Sequence, residues 1–60
     1  MEAKFKLFDK VIVSGTATGY GNLEAVIIEV SFDELSKQFF YNTRTDQGRF
    51  YVAEKFLKII

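Results

Sequence analysis

A chain that performs covalent chemistry needs a nucleophile beside a base, a pair of working carboxylates or a set of metal ligands. This sequence offers little of each. It contains no Cys and no His, which removes thiol nucleophiles, imidazole bases and the usual zinc ligands together. Ser14, Ser31 and Ser36 lie near Lys residues in the sequence, but none sits in a recognisable nucleophile motif. Asp33-Glu34 has the residue types for general acid and base work, yet adjacent acids in a polar segment more often cap a helix or stay solvated. Gly15-x-x-x-Gly19-x-Gly21 superficially suggests a phosphate cradle, but no Lys-Ser/Thr pair follows it and 60 residues leave no room for a strand-helix unit. The expectation is a non-enzyme with no catalytic residue, no metal and no cofactor.

Binding chemistry is better represented. Tyr20 stands inside the Gly-rich segment, Tyr41 and Tyr51 lie in two apolar runs near the end, and Arg44 and Arg49 fall between them. Tyr offers large contact area with few rotatable bonds and a polar tip, and Arg adds stacking or bidentate contacts. Tyr20, Tyr41, Arg44, Arg49 and Tyr51 are therefore the candidate partner-binding residues. Alternation leaves open whether Tyr41 or Phe40 faces the core, and about half of the ten aromatics are expected to be structural. Phe39-Phe40 also raises self-association, with a homodimer as one way to enlarge a small core.

The elements that must hold these residues are short. Lys10 to Ser14 is a β-branched run stopped by Gly15, and Leu23 to Val30 is a longer one expected to stop at Ser31. In the second run Val26, Ile28 and Val30 should share one face and Ala25, Ile27 and Glu29 the other, so this strand should be central. Gly15 to Asn22, with three glycines, suits a bent loop rather than regular structure. Ser31 and Glu34 have capping-box spacing, giving either a helical turn over Leu35 or a distended hairpin loop. Phe39 to Thr45 and Phe50 to Val52 flank Asp46-Gln-Gly-Arg49, a turn in which Asp46 should cap amides and Gly48 should accept positive φ. Ala53 to Phe56 fits a single 3₁₀ turn, after which Leu57 and Ile60 should enter the core.

Composition bounds the rest. A chain of 60 residues makes one domain, 1–60, and buries only about 60% of its unfolded surface, so its margin of stability is thin. Hydrophobic residues at 48%, with seven Phe, must supply a core without disulfide help. Eight basic and eight acidic residues cancel, which disfavours nucleic acid as a general partner because such affinity rests on phosphate neutralisation. Apolar runs such as Ala25 to Ile28 fall far short of the roughly 20 residues that cross a bilayer. Met1-Glu-Ala-Lys-Phe-Lys lacks the apolar core of a secretory signal, so a soluble cytoplasmic protein with no membrane partner is expected.

Phe8-Asp-Lys-Val-Ile-Val, the Gly-rich loop, Ala25-Val-Ile-Ile-Glu-Val, Tyr41-Asn-Thr-Arg-Thr-Asp-Gln-Gly and Val52-Ala-Glu-Lys-Phe-Leu together resemble small SH3-like barrels, including KOW-type and related bacterial and phage modules. The chain departs from that pattern at Phe8-Asp9, where a Gly-Asp pair often stands, and at Asn22-Leu23-Glu24, where a Gly often opens the second strand. The resemblance implies an all-β, five-stranded SH3-like barrel with a long Gly-rich first loop and a single 3₁₀ turn before the last strand. It also implies ligand binding between that loop and neighbouring strands. The functional expectation is a non-catalytic protein-binding module, of the kind a small phage or prophage accessory protein uses to inhibit a host protein by occupying its surface. The alternative is a KOW-like RNA- or ribosome-binding module, with Tyr20 and Tyr51 stacking bases and Lys10, Arg44, Arg49 and Lys55 meeting phosphate.

Overall fold

The computed structural model describes residues 2–60. Five antiparallel strands, β1 (Lys10–Val13), β2 (Leu23–Asp33), β3 (Gln38–Thr45), β4 (Gly48–Ala53) and β5 (Leu57–Ile59), form one curled half-barrel in the order β4-β3-β2-β1-β5. A helical turn, α1 (Gly15–Thr18), follows β1, and a 3₁₀ turn (Glu54–Phe56) leads into β5. β2 takes the central place that its two apolar faces require.

Curvature enters β2 at a bulge between Ile27 and Glu29. The extra residue inverts the alternation: Ala25 and Ile27 point inward, and beyond the bulge Val30 points inward as well, where it packs on the core. Val26 and Ile28 therefore do not share a face with Val30, contrary to the simple two-residue period. Phe5, Val11, Val13, Ala25, Ile27, Tyr41, Val52 and Leu57 make up the buried cluster. Ile60 is exposed and lies outside it, because alternation from the buried Leu57 turns it to the outer face, next to Lys10.

The Gly-rich segment is more regular than its composition suggests. Ser14 Oγ accepts from the Thr16 amide at 3.2 Å, opening α1, and the Asn22 side chain accepts from the Gly15 amide at 2.8 Å, closing the loop. Gly15 and Gly21 are pressed together so closely that a Cβ on Gly15 would lie 2.8 Å from Gly21 Cα. At Ser31 the ladder continues through Asp33, because Phe32 and Phe39 pair across it with ring centroids 4.8 Å apart. The segment from Glu34 to Lys37 is thus a hairpin turn, not a capped helix, closed by the Lys37 amide donating to the Asp33 carbonyl at 2.8 Å. Asp33 accepts from Ser36 Oγ at 2.7 Å, and that bond holds its carboxyl below the usual carboxylate range.

The second hairpin is tighter than expected. Only Asp46 and Gln47 lie between the strands, Gly48 adopts φ +120°, and Arg49 is drawn into β4 opposite Arg44. Thr45, rather than Asp46, supplies the cap: its Oγ1 accepts from the Gln47 amide at 3.0 Å and donates to the Gly48 carbonyl at 2.9 Å.

Candidate functional site

Directly paired residues on neighbouring strands project to the same face, so the register sorts the candidate residues. Tyr41 pairs with Val52 on the inner face and is fully buried. It is a core residue and drops out of the partner-binding set. Its hydroxyl donates to Glu54 Oε2 and accepts from the Phe5 amide at 3.3 Å, while the Lys4 amide donates to the same Glu54 oxygen at 2.9 Å. The Phe5 ring meets the Tyr41 ring edge-on at 5.7 Å. Burial, reinforced by the Glu54 carboxylate, pushes the Tyr41 hydroxyl up to about 12. This network straps the N-terminal segment over one end of the half-barrel.

On the outer face of β3 and β4 the sheet brings Arg44, Arg49 and Tyr51 together. Arg44 is the direct partner of Arg49, and Tyr51 is the direct partner of Asn42. Tyr51 is 59% exposed and stacks on Phe40, with centroids 5.6 Å apart and planes 7° from parallel. Phe40 is thus a surface aromatic on which Tyr51 rests, and Phe39 packs inward against the core. Tyr20 is separate from this group. It is 62% exposed, but its ring sits edge-on to Phe50 at 6.2 Å, and Phe50 pairs with Thr43 on the inner face. Edge strand β4 therefore carries one aromatic pair on each side.

A groove of about 460 Å³ adjoins Arg44 on the same outer face. Its apolar surface comes from Phe8, Val26, Ile28 and Ile60, and charged Lys10, Glu24 and Asp46 also line it. Phe8 was not among the sequence candidates; nothing in its residue type signals that it stands 72% exposed with a φ of +72°. The stacking role of Phe40 follows from the register with β4, which a single sequence does not specify.

Among the described residues no group of three acidic side chains is arranged to hold a metal ion, and no helix is long and apolar enough to cross a membrane. This face presents a flat aromatic surface, two cross-strand arginines and a neighbouring apolar groove. No family model, curated protein or solved structure matches the chain.

Proposed function

We propose that this chain is a non-catalytic protein-binding module built on an SH3-like barrel, with its contact surface on the outer face of β3 and β4. The observation that carries the reading is the Phe40–Tyr51 stack beside Arg44 and Arg49. A preformed aromatic plane loses little side-chain entropy on binding, and Tyr and Arg are the residue types that dominate protein interfaces. The barrel assignment is supported by the pairing of β1 with both β2 and β5, and by the 3₁₀ turn before β5. In this reading the module acts by occupying a partner's surface, as a small phage or bacterial accessory protein that inhibits a host protein would.

The adjacent guanidinium groups favour a second reading, a KOW-like RNA or ribosome contact in which Tyr51 stacks a base. Against it, Asp46 and Glu24 line the groove next to Arg44, and Glu29 pairs with Asn42 on the same face, so acidic groups interrupt any phosphate track. Capture of partners from a lysate of the source organism, with and without nuclease, separates the two. Protein binding predicts a nuclease-resistant partner that is lost with Tyr51→Ala and depends weakly on salt. Loss of all bound material after nuclease, or retention unaffected by Tyr51→Ala, defeats the proposal.

A further inference from the structure

The outer face carries its charges in rows across the strands. Lys10 pairs with Val26, Val26 with Arg44, and Arg44 with Arg49, so one row is basic. One step along the strands, about 7 Å away, Glu24 on β2 and Asp46 just beyond β3 form an acidic row lining the same groove. Two like charges directly opposite on an isolated sheet are destabilising, so the Arg44–Arg49 pairing has no structural benefit within one copy.

The groove is also walled by a strained residue. Phe8 adopts φ +72°, a left-handed conformation unfavourable for a bulky side chain, and it is held there by its amide donating to the Ile27 carbonyl at 2.7 Å. The result is an aromatic ring 72% exposed at the edge of an apolar surface, and such strain gathers where a surface is used.

We infer that this groove face is the contact surface of a homodimer, its occupant a second copy of this chain. A two-fold axis running across the strands, between the basic and acidic rows, sets each row of one copy against the opposite row of the other. Arg44 then meets Asp46 of the second copy, and the reverse contact occurs once more by symmetry. A single phosphate-bearing or acidic partner would be repelled by the acidic row; a second copy uses both rows. The molecule measures 29 × 20 × 17 Å, so its broad face offers roughly 600 Å² per copy, below the about 800 Å² typical of stable pairs. The dimer is accordingly weak and reversible. The dimer shares Arg44 with the protein-binding reading, but its groove is not lined by Phe40 or Tyr51, so the charge-row variants and Tyr51→Ala test the two separately.

Sedimentation of the full chain from micromolar to millimolar concentration tests it, using two charge variants. Lys10→Glu with Arg44→Glu and Arg49→Glu makes both rows acidic, and Glu24→Lys with Asp46→Lys makes both rows basic. The wild type is expected to dimerise as concentration rises, each variant alone to stay monomeric, and an equimolar mixture of the two to form a heterodimer. Phe8→Asn relieves the backbone strain while removing the ring, so it is expected to fold at least as stably as wild type and to associate at least about tenfold more weakly. A wild type that stays monomeric at millimolar concentration overturns the inference and leaves the groove to a different occupant. So does a mixture that stays monomeric, or a Phe8→Asn variant that associates like wild type.

Discussion

Tyr41→Phe removes one oxygen from the buried network and tests whether the strap at the N-terminus is held by hydrogen bonding or by packing alone. The Phe5 amide loses its acceptor in a place where Phe5 is only 2% exposed, while the Phe5 and Tyr41 rings keep their contact. A buried donor left unpaired costs about 1–3 kcal/mol, so a loss near 2 kcal/mol is expected in urea unfolding followed by circular dichroism. At the scale of a 60-residue domain that corresponds to a fall in Tm of about 10 °C. The pH dependence supplies a second, independent readout. Folding raises the Tyr41 hydroxyl from 10 to about 12, so its contribution is complete below pH 10 and lost as pH rises toward 12. Two units amount to at most about 2.7 kcal/mol, and about half of that is expected because Glu54, which accepts from the hydroxyl, is only partly buried. Wild type should therefore lose more stability than Tyr41→Phe between pH 10 and 12, and the two curves should converge at the alkaline end. A variant within about 0.5 kcal/mol of wild type at neutral pH, with an equal alkaline loss, would refute the reasoning.

Gly15→Ala places a methyl 2.8 Å from Gly21 Cα, against backbone that cannot yield cheaply, and is expected to destabilise by about 1–3 kcal/mol in the same unfolding assay. Arg49→Glu turns the repulsive cross-strand pair with Arg44 into an attractive one and should stabilise by about 0.2–1 kcal/mol, more at low salt, while weakening partner binding. A destabilised Arg49→Glu would show that the two guanidinium groups are already neutralised within the fold.

Much of the architecture was legible because β-branched runs and turn residues act locally. Val11 and Val13, the Leu23 run and the Gly48 turn signal strands and a hairpin without any reference to the rest of the chain. What a period of two cannot reveal is a bulge, and one extra residue at Ile28 was enough to send Val30 inward. β2 runs past Ser31 for a related reason. Ser31 and Glu34 have the spacing of a helix cap, but the Phe32–Phe39 contact is non-local and prevails over that propensity. At the site, Arg44, Arg49 and Tyr51 do meet, whereas Tyr41 is swallowed by the core and Tyr20 leans on the far side of β4. Burial of one Tyr among three depends on register, which the sequence leaves free until the hairpin closes. Phe8 carries no such signal in its residue type, because its backbone adopts the left-handed conformation that glycine, not a bulky side chain, would take without strain.

The strap from Lys4 and Phe5 to Tyr41 and Glu54 has a kinetic consequence. β2, β3 and β4 follow one another with short turns, so their pairing closes small loops and can form early. The Phe5–Tyr41 bond spans 36 residues and the Lys4–Glu54 bond spans 50, so both close only after most of the chain's entropy has been given up. The contacts that complete the core are thus expected to assemble last and open first. Amide exchange should begin at the strap and β5, leaving the three-strand meander as the most slowly exchanging part of the molecule.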